Sequence, residues 1–215
     1  MKINLLFWDV DTQRDFMLPE GKLHISGAED IMETISEIRR FALEKRYPIV
    51  ASTDWHGLQN AEISQDPDYK ETYPQHCLAK TQGAERVGYV GDRDIDVIGE
   101  NPMDADVLSH MVQSPSFHLV IRKSKLDVFT NPNTTILVDM LNPATIIVFG
   151  VALDLCVSKT VFGLLERTSA RLIVLKDAVR AADTDKTDAV FGEFNQRGVE
   201  LSDFGQLREE LSCGS

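Results

Sequence analysis

The sequence has too few cysteines for a disulfide framework: Cys77, Cys156 and Cys213 are three in 215 residues, an odd number at uneven spacing. That excludes a disulfide-stapled scaffold and points to a reducing, cytoplasmic setting, so each thiol needs its own explanation. Long apolar runs are also missing. Stretches such as Ile3 to Trp8 and Thr145 to Ala152 fall far short of the roughly 20 residues a membrane span needs, so no membrane partner is expected. The start MKINLLFWDVD carries one lysine and turns acidic where a signal peptide would place its cleavage site, and it reads instead as a buried first strand. The 13 glycines and 8 prolines are scattered; with no linker, repeat or low-complexity tract, residues 1–215 read as one domain. Positive charge is scarce as well, 22 Lys and Arg against 34 Asp and Glu, and a formal net charge of -12 opposes nucleic-acid binding.

What the chain does have is a succession of short apolar runs at Ile3 to Val10, Pro48 to Thr53, Phe117 to Ile121, Thr145 to Val151 and Arg171 to Leu175, each too short for a typical helix and read as a buried strand. Val199 to Ser202 makes a sixth. Helical stripes lie between them: Ile31, Ile35, Ile38 and Ala42; Val161, Leu164, Leu165 and Thr168; and Thr184 to Arg197, with Gly198 at the stop position. Buried strands alternating with helices predict an α/β fold, a mostly parallel sheet covered on both faces, with function at the carboxyl ends of the strands.

The strand exits carry chemistry. Asp9 and Asp11 follow the first run, Asp54-Trp55-His56 the second, Arg122-Lys123 the third and Asp154-Leu155-Cys156 the fourth. Cys156 opens a helix, whose free N–H groups and dipole favour a thiolate and can hold an oxyanion. A nucleophilic thiol needs a proton acceptor and a stabilising cation, roles open to Asp11 and Lys123. Singly, each has an ordinary explanation: a small buried hydrophobe, a turn carboxylate, a charge on the basic stretch RKSK. Asp54, His56, Glu62 and His76 form an N/O donor set of the metal-binding kind, with Glu62 equally explicable as a loop carboxylate. His24, His110 and His118 lack partners at readable spacing and are taken as loop or core histidines; Cys77 is taken as structural, and Cys213 as part of a mobile ELSCGS tail.

VDTQRDF with LPEGKL, STDWH, YPQHC near TQGAE, VIRK before Phe129, and GVALDLCV together resemble, in order over residues 3 to 180, the nicotinamidase branch of the isochorismatase-like cysteine hydrolases. The resemblance implies a Rossmann-like three-layer sandwich whose six-stranded, mostly parallel sheet has the order 3-2-1-4-5-6. It implies catalytic roles for Asp11, Lys123 and Cys156, an oxyanion hole from the N–H groups of Ala152 and Cys156, and a cis peptide between Val151 and Ala152. It further implies one divalent metal ion on Asp54, His56 and His76, with zinc foremost and manganese or iron also suited to such ligands. Where family members often carry a histidine, this chain has Glu62, as a fourth ligand or to orient a metal-bound water; the usual Trp-Pro is Tyr73-Pro74. Phe16 and Tyr73, and with them Trp55, are the aromatics expected to flank a substrate ring.

The implied activity is hydrolysis of nicotinamide to nicotinate and ammonia through a cysteine thioester, in NAD salvage, with a small molecule as partner. A homo-oligomer is compatible with all of this. Another small carboxamide or carbamoyl compound, or a silent pyridine-metabolite-binding protein, are the competing expectations. An intact acid-base-nucleophile trio argues against a sensor.

Overall fold

The computed structural model describes residues 3–88 and 95–213, apart from the side chain of Cys213. Its strands are β1 (Leu5–Val10), β2 (Ile49–Asp54), β3 (Asp96–Ile98), β4 (His118–Lys123), β5 (Thr145–Val151), β6 (Arg171–Arg180) and β7 (Glu200–Ser202). They form one sheet in the order β3-β4-β2-β1-β5-β6-β7, parallel throughout. The expectation of six strands is corrected to seven among the described residues. The extra strand, β3, is a three-residue edge with Asp96 and Val97 exposed, which gives a sequence pattern nothing to show. Without β3, the order along the chain is the expected 3-2-1-4-5-6. β6 runs five residues past the predicted Leu175, because a register shift between Val148 and Gly150 lets it follow β5 to Val151.

Each strand of the sheet's centre is buried on both faces, and β1 shows why its run is continuous rather than alternating. Leu6, Trp8 and Val10 enter one core, while Leu5 and Phe7 enter the other. Helices α1 (Arg14–Met17), α2 (Met32–Glu44) and α7 (Phe204–Cys213) contribute to the second core, through Phe16 and Met17, Ile35 and Ile38, and Phe204 and Leu207. Helices α3 (Ala105–Met111), α4 (Pro132–Leu141), α5 (Ser158–Arg167) and α6 (Thr187–Gln196) cover the opposite face through Leu108, Leu137, Leu164 and Phe194. Each such side chain stabilises the fold by about 1.5–3 kcal/mol of apolar burial. The Cys213 backbone ends α7 rather than lying in a mobile tail; its thiol lies outside the described side chains.

Asp9 belongs to this framework and not to the site. It lies on the α2 side of β1, where Arg39 Nε and Nη2 reach its carboxylate at 2.8 and 2.7 Å, joined by Arg86 and by the Thr12 hydroxyl at 2.9 Å. Burial pushes its pKa up, but the two guanidiniums outweigh that and hold it below the usual carboxylate range. His118 accepts a hydrogen bond from Arg86 at 3.2 Å and is depressed to about 3 by burial and the Arg86 charge, so it is a neutral core histidine. Arg39→Met removes one side of a buried ion cluster and is expected to cost about 3 kcal/mol in chemical denaturation, where a change under 1 kcal/mol would show the cluster to be dispensable.

Candidate active site

β1 lies between β2 and β5, the chain leaving it first to one side and later to the other. This is the switch point at which an open parallel sheet forms its crevice. The carboxyl ends of β1, β2, β4 and β5 deliver Asp11, Asp54, Lys123 and Cys156 to it.

Lys123, the last residue of β4, is fully buried. Its Nζ lies 2.8 Å from Asp11 Oδ2 and 3.6 Å from Cys156 Sγ, and it also bonds Asp54 Oδ1. Burial acts to lower its pKa, yet the carboxylates of Asp11 and Asp54 keep the ammonium well above its ordinary range. Asp11 leaves the strand at φ 49°, a left-handed kink, and accepts a hydrogen bond from Ser52 Oγ at 2.7 Å. Its pKa is raised, chiefly by burial, against the pull of Lys123. Burial likewise pushes the Cys156 thiol well up, with Lys123 opposing and the charges of Asp11 and Asp54 reinforcing the rise. Burial thus works against the thiolate that a helix start alone would favour, and the Lys123 ammonium works for it.

The turn carrying Cys156 is also unlike a simple helix start. Leu153–Val157 forms a π-helical turn ahead of α5, and the peptide bond between Val151 and Ala152 is cis, as the resemblance implied. Ala152 O accepts from Leu155 N at 3.1 Å and Val157 N at 3.0 Å. In an α-helical register that carbonyl would pair with the Cys156 N–H.

Beyond Asp54 lies a second cluster. One donor atom from each of Asp54, His56, Glu62 and His76 falls within 4.8 Å of the others, and all four residues are buried. His56 Nε2 and His76 Nε2 are each 3.5 Å from Asp54 Oδ2, close to the roughly 3.4 Å that separates ligands about 2.1 Å from a tetrahedral zinc. His76 Nδ1 lies 2.7 Å from Pro74 O; donating there leaves the Nε2 lone pair facing the cluster. Both ring nitrogens of His56 and Glu62 Oε1 are buried without a hydrogen bond. Burial and then the Asp54 charge raise the Glu62 carboxyl to about 7. Burial also opposes ionisation of Asp54, but Lys123 and the two imidazoles overcome it and hold its pKa well below the ordinary value. These residues can hold a metal ion, and Asp54 is the side chain common to both clusters.

A cavity of about 380 Å³ joins them, lined by Cys156, Asp54, Glu62, His76, Phe16 and Tyr73 among others. Phe16 and Tyr73 flank His76, with ring centroids 5.4 and 6.1 Å from the imidazole. Trp55 does not join them. Strand alternation turns it away from Asp54 and His56, into a separate depression where the Arg122 guanidinium stacks 3.6 Å from its ring centre. Its expected place beside a substrate ring is corrected accordingly.

Sequence reasoning missed the residues that aim these groups. Gln13 is fully buried and holds both main-chain groups of Asp54, accepting from its N–H at 2.7 Å and donating to its carbonyl at 2.8 Å, with a further bond to Ala84 O at 2.9 Å. Asp15 accepts from Cys77 N at 2.7 Å and Lys22 N at 3.1 Å, tying the loop that carries His76 to α1. Both lie in VDTQRDF, but side-chain to main-chain bonds over 41 and 62 residues leave no local pattern. Cys77 is a buried thiol whose pKa burial drives well up, fitting its structural reading.

A thiol, a carboxylate and an ammonium meet at the switch point of a doubly wound sheet, beside a metal-type donor set, an arrangement of the kind a hydrolase uses. The chain belongs to the isochorismatase family: the Isochorismatase domain model matches residues 5–206. The nicotinamidase of Saccharomyces cerevisiae is 23% identical over 203 residues, covering 82% of this chain and 88% of that protein. The structure of the Pyrococcus horikoshii pyrazinamidase in complex with zinc superposes with a TM-score of 0.73 at 22% identity, covering 94% of this chain and 99% of that one. PnC1 from L. infantum in complex with nicotinate gives a TM-score of 0.69 at 21% identity, with 94% and 96% covered.

Proposed function

We propose that this protein hydrolyses nicotinamide to nicotinate and ammonia in NAD salvage, through a thioester on Cys156. The observation that carries the reading is the shared cavity, in which the Cys156 thiol and the donor cluster face the same space. A pyridine carboxamide has one group for each. The likeness to nicotinamidases and pyrazinamidases supports that choice.

A divalent ion on Asp54, His56, His76 and Glu62, zinc foremost, would anchor the ring nitrogen and add the positive charge that the buried carboxylates lack. Phe16 and Tyr73 bound the ring, so the carboxamide is presented to Cys156 in one orientation. Asp11 takes the thiol proton as sulfur adds to the amide carbon, and the carbonyl electron pair moves onto oxygen. The N–H groups of Ala152 and Cys156 receive that oxyanion; the π turn serves this by giving Ala152 O to Val157. Asp11 returns the proton to the departing nitrogen, releasing ammonia. It then accepts a proton from the water that cleaves the thioester, and Cys156 recovers its hydrogen. Lys123 holds Asp11 and the transient thiolate through both halves.

The test is ammonia release from nicotinamide, pyrazinamide and simple carbamoyl compounds, before and after chelation and metal restoration. Nicotinamide should be hydrolysed with the highest kcat/KM, and chelation should remove that activity; a carbamoyl compound preferred tenfold or more would reassign the substrate. His56→Ala should weaken metal affinity by about 100-fold or more, beyond the loss expected of a residue that only supports a ligand, raising KM and lowering kcat together as the ring loses its anchor. Full metal occupancy in that variant at limiting metal would exclude His56 as a ligand.

A further inference from the structure

The nucleophile's turn contains a buried carboxylate to which the proposed chemistry gives no part. Asp154 precedes Cys156 by two residues, its side chain is only 3% exposed, and it lines the cavity. Its two oxygens are both engaged by main-chain donors from the loop that follows the neighbouring strand β6: Oδ1 accepts from Ala182 N at 2.7 Å and Oδ2 from Asp183 N at 3.2 Å. A carboxylate so occupied is not placed to act as a base.

Where these bonds occur gives them meaning. The β5·β6 ladder ends at the pair Val151 and Arg180. Past that point the backbones part, β5 into the cis peptide and π turn, β6 into the loop beginning at Ala181. The Asp154 carboxylate bridges the two chains just beyond the last ladder pair, doing with a side chain what the sheet no longer does with its main chain. The turn's carbonyls are held locally: Ser158 Oγ donates to Leu153 O at 2.6 Å, and Ala152 O takes two N–H groups within the turn. Apart from the Cys156 thiol itself, which meets Lys123 Nζ at 3.6 Å, Asp154 is the side chain here that ties the turn to another element.

We propose that Asp154 is a positioning residue: it locks the nucleophile's turn to the loop after β6, and so fixes Cys156 and its neighbouring N–H groups against the substrate carbonyl. The ring is held by Phe16, Tyr73 and the donor cluster, whose side chains are not among the hydrogen-bond or ion-pair partners of Asp154, namely Ala182, Asp183 and Lys186. Loss of the lock therefore misaligns the reacting atoms while leaving ring binding in place. The kinetic part of this proposal rests on the amidase reading; the lock itself does not.

Asp154→Ala removes both acceptors, and Asp154→Asn keeps one oxygen for the shorter bond. Two measurements on the metal-loaded proteins separate the possibilities. Steady-state ammonia release from nicotinamide is normalised to Cys156 thiols titrated by alkylation and peptide mapping, on protein whose circular dichroism and metal content match the native chain. Asp154→Ala should lose roughly 10–100-fold in kcat per thiol with KM within about threefold of native, and Asp154→Asn should recover most of that loss. Hydrogen exchange at the Ala182 and Asp183 amides needs no substrate, and should quicken about tenfold or more in Asp154→Ala. Native kcat per thiol in Asp154→Ala, unchanged exchange at the two amides, or an Asp154→Asn protein as impaired as the alanine variant would each overturn the proposal. A native protein inert toward nicotinamide would defeat the amidase reading instead, and the exchange result would still decide the lock.

Discussion

Replacing Cys156 by alanine should lower ammonia release from nicotinamide by roughly 10⁴-fold or more, because the attacking atom is lost while its surroundings remain. The Cys156 thiol meets Lys123 Nζ at 3.6 Å and interacts with Asp11, and the change removes a single sulfur from a site otherwise braced by ion pairs. Stability and metal content should therefore stay near native, and nicotinamide should still bind with an affinity measurable by calorimetry. Cys77→Ala provides the contrast. That thiol is buried on the α1 side of the metal loop, its Sγ 3.9 Å from Gly83 O, and its loss should cost modest stability and little turnover. Ammonia release from Cys156→Ala at even a tenth of the native rate would remove sulfur from the mechanism.

Lys123→Met should come next, with a loss of roughly 10²–10³-fold in kcat. Methionine retains most of the stem, but three groups lose the cation between them: Asp11, Asp54 and Cys156. Lys123 is the influence that lowers the Cys156 pKa against burial. Without it the pH profile of Cys156 alkylation should move to higher pH, the thiolate becoming harder to form. The same change leaves two buried carboxylates facing one another, so a stability loss of about 3 kcal/mol or more is expected alongside. Lys125→Met, at an exposed position in the following loop, should alter neither the alkylation profile nor kcat. An inactive, folded Lys125→Met beside a near-normal Lys123→Met would shift the assignment by two residues.

The contrast between these lysines shows what the sequence could and could not convey. Lys123 directly follows an apolar run, and that position alone places it at a strand's carboxyl end, where the structure finds it; the same logic located Asp11, Asp54 and Cys156. Continuous runs worked because a doubly covered parallel sheet buries both faces of its strands. Periodicity likewise revealed α2 and α5, and α6 was read with Gly198 as its stop. It missed α4, whose signals are chemical: Asn131 caps it by accepting from Asn133 N, Pro132 opens it, and Asn142 closes it at φ 40°. β3 was too short and exposed to register. Trp55 was misjudged because adjacency to His56 in sequence means opposite faces at a strand exit. The ligand set was legible as residue types, but its convergence was not, since Glu62 and His76 reach the cluster from loops: Asp15 holds the main chain beside His76, and Glu62 O accepts from Tyr73 N at 2.7 Å. The π turn could not be read at all from GVALDLCV by spacing; it followed only from resemblance that something unusual preceded the cysteine.

The most direct test of the account is partitioning of the acyl enzyme by hydroxylamine. The native, metal-loaded protein is given nicotinamide with increasing hydroxylamine, and ammonia, nicotinate and nicotinohydroxamate are quantified together. A thioester on Cys156 predicts that hydroxamate rises at the expense of nicotinate, that the two products together equal the ammonia released, and that Cys156→Ala forms neither. Nicotinate as the sole product at every hydroxylamine concentration, with ammonia release undiminished, would mean that water attacks the amide directly and would contradict the account.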